Sequence, residues 1–211
     1  MTEKVKKHRD YQNKLPSVTT ILGVLRKIGL EYWFKANTAK FCNEESAKGK
    51  KCGTQIHDCI EQYILTGEAK IDSEYADEVM NALNSFILFR KENPSIKLVL
   101  SEVALTSEKY GFNGTIDAPN PPLLIDWKSG NAKDKDEPVI YDEAKYQVAA
   151  YVNLWNERNP ECPIENAMIV CFAKDKVAYS KYEMDKEEIY GCFNEVFLSC
   201  LKIYQYQKGA N

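Results

Sequence analysis

No stretch of this 211-residue chain approaches the roughly 18 consecutive apolar residues that a membrane-crossing helix needs, so no membrane partner is expected. The segment Met1 to Lys14 is polar, carries both signs of charge and lacks an apolar run. A secretory leader is therefore not expected there, and its acids speak against an organelle transit sequence. Histidine is scarce, with two in the whole chain. No Cys-x-x-Cys pair occurs among the seven cysteines at 42, 52, 59, 162, 171, 192 and 200. Zinc ribbons and ferredoxin-type clusters thus find no support. The odd, scattered set reads as reduced core thiols and a reducing, cytoplasmic setting. Repeats, low-complexity tracts and interdomain linkers are missing too. The expectation is one unit over 1–211, with a flexible basic N-terminus (1–14), a helical region (15–95) and an αβ core (96–207).

What is present is ordinary for a globular chain: 44% hydrophobic and 28% charged residues. The net charge of −3 gives no support of its own to a nucleic-acid partner. Positive charge nevertheless bunches at Lys4, Lys6, Lys7 and Arg9, and again at Lys48, Lys50 and Lys51. Each group is either a phosphate-contacting surface or an ordinary solvated end.

Apolar spacing predicts a helix from Val18 to Ile28, a second over Glu31 to Ser46, a third over Gly49 to Leu65 and a fourth over Ser73 to Lys91. Strands are expected over Lys97 to Thr106, Lys109 to Ala118 and Leu123 to Lys128, arranged as an antiparallel meander. Tyr141 to Arg158 reads as a helix, followed by strands over Ala167 to Ala173 and Val177 to Glu183. A last helix starts at Asp185, with Glu188 at the capping-box position. The predicted class is α/β (α+β): helices first, then a small mixed sheet flanked by helices.

One segment stands out. Leu123-Leu124-Ile125-Asp126-Trp127-Lys128 is an apolar strand that carries an acid and a lysine two residues apart. Strand side chains alternate, so Asp126 and Lys128 share one face and Ile125 and Trp127 the other. Burying both charges costs several kcal/mol unless they pair or bind a metal. Asp117 lies nine positions before Asp126, at the end of a neighbouring strand candidate. Strands lie about 5 Å apart, so the two acids could ligate one cation. A plain Asp126–Lys128 ion pair explains the same residues. Gly53 sits inside the third helix, where glycine costs about 1 kcal/mol relative to alanine and calls for a reason such as close approach of another backbone. His57, one turn on, is either a further ligand or a hydrogen-bonded helix histidine. Gln147 and Tyr151 fall on one face of their helix. Tyr32, Trp33 and Phe34 either stack on bases or pack the helical layer against the sheet.

In order, Pro16-Ser17-Val18-Thr19, Gly53-Thr54-x-x-His57, Glu102, Gly114-x-x-Asp117, Asp126-Trp127-Lys128-x-Gly130 and Gln147-x-x-x-Tyr151 resemble the RecB-like branch of the PD-(D/E)XK nuclease superfamily. The likeness is to small stand-alone members of the mitochondrial genome maintenance exonuclease type and covers roughly residues 15 to 155. It implies a restriction-endonuclease-like core forming a single nuclease domain. His57, Asp117, Asp126 and the Trp127 carbonyl would hold Mg²⁺ or Mn²⁺, and Lys128 would be the catalytic lysine. Thr54, Gln147 and Tyr151 would position substrate. Glu102 would be a water-mediated ligand or merely a charged strand end. Some relatives hold an iron–sulfur cluster through a tight C-terminal cysteine trio; that spacing is missing here, so no cluster is expected. The implied activity is hydrolysis of DNA phosphodiester bonds, as an exonuclease on single-stranded DNA in replication, repair or recombination, with a replication or recombination protein as partner. Two alternatives stand beside it. One is a catalytically silent DNA-binding or scaffold module on the same fold; the other is a nuclease acting on RNA or structured junctions.

Overall fold

The computed structural model describes residues 15–71, 74–98, 100–133 and 135–209. The basic segment 1–14 and the expected helix start at Ser73 lie outside the described residues.

The chain opens with a short helix, α1 (Val18–Leu22), whose first turn is capped by the Ser17 hydroxyl accepting from Thr20 N–H at 3.1 Å. It stops at Gly23 and does not continue to Ile28. Val18, Ile21 and Leu22 are fully buried, whereas Ile28 begins a separate helix, α2 (Ile28–Ala36), at which no side chain is buried. The expected second and third helices are redrawn as well. α2 ends at Asn37, Thr38 then caps α3 by accepting from Phe41 N–H at 3.3 Å, and α3 runs unbroken from Ala39 to Thr66. The Thr38 cap is the boundary signal that apolar spacing alone misses. α3 closes on Gly67, whose φ of 79° is the left-handed conformation of a helix C-terminus. α4 (Ala76–Glu92) stops just before Asn93-Pro94.

β1 (Val103–Ser107) and β2 (Phe112–Ile116) form an antiparallel pair of their own. The expected strand Lys109 to Ala118 is split at Asp117, after which β3 (Ala118–Asn120) joins a second sheet in the order β3-β4-β5-β6. β4 (Leu123–Gly130) is antiparallel to β3 but parallel to β5 (Asn166–Ala173), so the arrangement is not a simple meander. A parallel pair needs a crossover, and α5 (Asp142–Arg158) supplies it. β6 (Tyr179–Met184) is antiparallel to β5. Asp185 caps α6 (Lys186–Gly191), its carboxylate accepting from Glu188 N–H at 2.9 Å; the Glu188 carboxylate is used by the Tyr182 hydroxyl. A π-helical stretch, Cys192–Phe197, then leads into α7 (Leu198–Gln207). The class is mixed α/β, a small mixed sheet flanked by helices, and no described helix is long and apolar enough to cross a membrane.

Alternation along β4 sets the two cores. Leu124 enters a cluster with α1, α5 and the C-terminal helices, while Ile125 and Trp127 enter another with α3 and α4. Asp126 and Lys128 therefore leave the sheet on the α5 side, opposite Trp127.

Candidate metal centre and cleft

Three segments supply one cluster: α3 brings His57, the turn before β1 brings Glu102, and the β2–β3 junction brings Asp117. One ligand atom from each lies within 4.8 Å of the other two. His57 Nδ1 is 3.5 Å from Asp117 Oδ1 and 3.8 Å from Glu102 Oε1. Local structure holds these groups in place. Asp117 interrupts the strand because both ends of it are in use: its carbonyl accepts from Glu102 N–H at 2.9 Å and its Oδ2 from Trp127 N–H at 2.8 Å. Glu102 has φ +54°, a left-handed conformation that costs a non-glycine residue on the order of 1–3 kcal/mol. That bond to Asp117 pins the strained backbone and turns its side chain toward His57.

Beside the cluster, Lys128 Nζ donates to Asp126 Oδ2. Asp126 is 1% exposed, and its second oxygen, Oδ1, has no hydrogen-bond partner. Leaving a buried acceptor unsatisfied costs about 1–3 kcal/mol, more when it is charged. The structure thus brings His57, Glu102 and Asp117 together and sets the Asp126–Lys128 pair next to them. Trp127 joins through its backbone N–H on Asp117. One imidazole and two carboxylates form a nitrogen–oxygen donor set suited to a divalent cation; Asp126, expected as a ligand, is not one of the three.

The charges are poised accordingly. Burial alone would lower His57, but Asp117 and then Glu102 outweigh it and push the imidazole up to about 10. Burial would raise Asp117, yet the His57 and Lys128 charges hold it below the usual carboxylate range. Asp126 is pushed up to about 6 by burial, with the Asp117 charge adding to it. Burial would depress Lys128; Asp126 and Asp117 more than compensate, so it stays an ammonium.

A cleft of about 670 Å³ opens onto His57, Glu102 and Asp117. Its α3 wall carries Gly49, Lys50, Gly53 and Thr54. Thr54 is exposed, its hydroxyl donating to the Lys50 carbonyl at 3.2 Å. A Cβ built on Gly49 or Gly53 would meet nothing within 4 Å among the described residues, so close approach of another described segment does not explain either glycine. Gly49, the expected start of the third helix, lies inside α3, four residues before Gly53. Gln147 and Tyr151 do not line this cleft. They bond to each other at 2.8 Å, and the buried Tyr151 ring lies against Gly114, where a Cβ would come within 2.8 Å of Cε1.

Tyr32 and Phe34 do not pack against the sheet, being 69% and 44% exposed; Trp33 meets Phe34 and Phe41 at ring distances of 5.2 and 6.2 Å.

No family model and no curated protein matches the chain. Solved structures do resemble it at a distance. A phage-related exonuclease from Haemophilus somnus 129PT is 15% identical with a TM-score of 0.42, over 94% of this chain and 96% of that one. LHK-Exo in complex with dAMP is 17% identical with a TM-score of 0.38, over 74% and 91%. A protein from Eubacterium rectale, named as an exonuclease candidate, is 14% identical with a TM-score of 0.42, over 71% and 74%. Likeness this remote leaves the functional reading to the site itself.

Proposed function

We propose that this chain is a divalent-metal-dependent nuclease of the RecB-like PD-(D/E)XK type, hydrolysing DNA phosphodiester bonds on a restriction-endonuclease-like core. The carrying observation is the convergence of His57, Glu102 and Asp117 within 4.8 Å, beside a buried Asp126 with an unsatisfied oxygen and a paired Lys128.

His57, Glu102 and Asp117 would hold the cation, with Asp126 and the Trp127 carbonyl as further donors. A bound Mg²⁺ or Mn²⁺ would polarise the phosphate and lower the pKa of a water. The chain's own residues do the rest. Asp126 fixes the Lys128 ammonium, and that positive charge faces the negative charge building on phosphorus-bound oxygen in the transition state. Because Lys128 holds its proton, its part is to orient water and offset charge; it does not act as a free amine base. Thr54 would meet substrate at the cleft wall. Gln147 and Tyr151 would act by positioning, through β2 and α5. Single-stranded DNA with a free end is the preferred substrate, in replication, repair or recombination alongside a protein partner.

The test is degradation of end-labelled linear and of circular single-stranded DNA, with Mg²⁺, Mn²⁺ or chelator. Linear DNA should be cut and circular DNA spared, and the chelator should abolish cutting. Lys128→Ala should lower kcat by about 10²–10³-fold with the fold intact by circular dichroism. Equal activity in that variant would overturn the proposed chemistry. Cutting of circular DNA would replace exonuclease with endonuclease.

A further inference from the structure

A helix as apolar as α2 is ordinarily covered on most sides. Of its nine residues only Glu31 and Lys35 are charged, yet not one of its side chains is buried. Tyr32 and Phe34 stand in solvent, and the half-buried Trp33 meets Phe34 and the exposed Phe41 at the first turn of α3. An exposed apolar cluster of this kind marks a surface that a partner covers. Its charge is positive on balance. Arg26 neutralises Glu31 through two bonds, at 2.7 and 2.8 Å, and the exposed Lys35 ammonium lies 5.9 Å from the centre of the Tyr32 ring. α3 links the cluster to the cleft. A cavity of about 520 Å³, lined by charges of both signs, reaches Glu45, one turn after Phe41, and shares Gly49 with the cleft that opens onto His57. At 1.5 Å per residue, Phe41 and His57 lie about 24 Å apart along the helix.

We infer that α2 and the first turn of α3 form a stacking platform for nucleobases, on which Tyr32, Phe34 and Phe41 hold the unpaired part of a DNA strand whose end lies in the cleft. This rests on the nuclease reading above and names where the strand is gripped. Three observations select a single nucleic-acid strand as the occupant. Tyr32, Phe34 and Phe41 are exposed rings, and every base has a face that stacks on a ring whatever the sequence. Lys35 sets a positive charge where the phosphates beside a stacked base run. The cleft itself carries Asp58, Glu61, Glu102 and Asp117 against Lys50 and His57, so its own charge does not retain a polyanion and the grip falls to a remote surface.

Trp33 reports on the platform, because the other two tryptophans, Trp127 and Trp155, are 2% and 6% exposed. In chelator, where cutting is off, an oligothymidylate of about 16 nucleotides should quench Trp33 emission, and Trp33→Phe should remove the quenching. Tyr32→Ala and Phe34→Ala should each weaken binding about fivefold or more, followed by anisotropy of the labelled oligonucleotide. Tyr32→Phe should bind as wild type does. Tyr32→Leu should bind as Tyr32→Ala does, since leucine keeps apolar area and loses the ring. Cleavage of the long substrate should show a raised KM with kcat nearly unchanged. A dinucleotide, too short to reach α2, should be cut equally by all variants. Melting temperatures should not move, because α2 buries no side chain.

If both alanine variants bind as wild type does, or Tyr32→Leu matches wild type, the stacking platform falls while the nuclease reading stands. A wild-type dimer in sedimentation that Phe34→Ala splits, with oligonucleotide binding unchanged, would overturn it too, since a second copy of the chain would then cover α2. So would a melting temperature lowered by several degrees in Tyr32→Ala or Phe34→Ala, which would assign the rings to the fold. A wild-type protein that neither binds nor cuts nucleic acid would remove both readings.

Discussion

His57 is where burial and charge conflict most sharply. Its ordinary pKa of 6.5 is raised to about 10 by two carboxylates that outweigh burial. A raised imidazole stabilises the fold fully below 6.5 and loses that contribution as pH rises through about 10. In chelator-treated protein the His57 ring resonances should therefore titrate far above neutrality. Asp117→Asn should bring them down by at least a unit, and the urea midpoint of wild type should fall between pH 8 and 10 more than that of the variant. A midpoint near 6.5 in wild type would show that the carboxylates do not dominate. The same proton occupies a position a cation would take, so cation affinity should increase across this range. Asp126 offers a second reading at one residue. Asp126→Asn should abolish cutting and also lower the urea midpoint, because it leaves the Lys128 ammonium without its carboxylate partner. Most of these residues were legible in the sequence, since an acid and a lysine within an apolar strand demand a reason. Glu102 was the least legible. Its place follows from a left-handed backbone and a bond across to Asp117, and neither leaves a mark on residue type or spacing.

Elements carry the consequences of packing between segments. β2 and α5 touch through Gly114, where a Cβ would sit 2.8 Å from Tyr151 Cε1 and 2.9 Å from Leu154 Cδ2. Gly114→Ala should cost about 1–3 kcal/mol, read as a lower urea midpoint with unchanged slope. It should also disturb the Gln147–Tyr151 bond. α5 and the Asp185-capped α6 were plain in the sequence, because a long periodic segment states its type and the Asp185 cap states a start. The N-terminal helices were not. Apolar spacing continues across Gly23, and nothing in periodicity distinguishes a helix that ends from one that turns. Nor does it reveal that Thr38 starts one long helix running through two glycines. The split at Asp117 was hidden for a related reason: the break serves hydrogen bonds to distant residues and not local propensity.

At the scale of the whole molecule, β4 divides the interior into two cores and borders the site between them. The α3–α4 side is aromatic: Phe86 meets Trp127 edge-on at 5.6 Å, Phe172 at 5.8 Å and Tyr63 at 6.0 Å, and is 1% exposed. Phe86→Ala should cost about 3–5 kcal/mol in chemical denaturation. Because Trp127 N–H also holds Asp117, the same substitution should weaken cation binding though Phe86 lies outside the cleft. The parallel pairing of β4 with β5 could not be read from residue pattern alone, since strand direction depends on the path of the intervening helix. The alternation that assigns Ile125 and Trp127 to one side could be.

α2 has a separate consequence. A helix that buries none of its side chains adds little to cooperative unfolding, so local fraying there should cost much less than opening the remainder. Among the described residues, brief trypsin treatment of the native protein should nick first around Arg26, Lys27 and Lys35, and the two pieces should stay together through the buried α1 and melt in one sharp step.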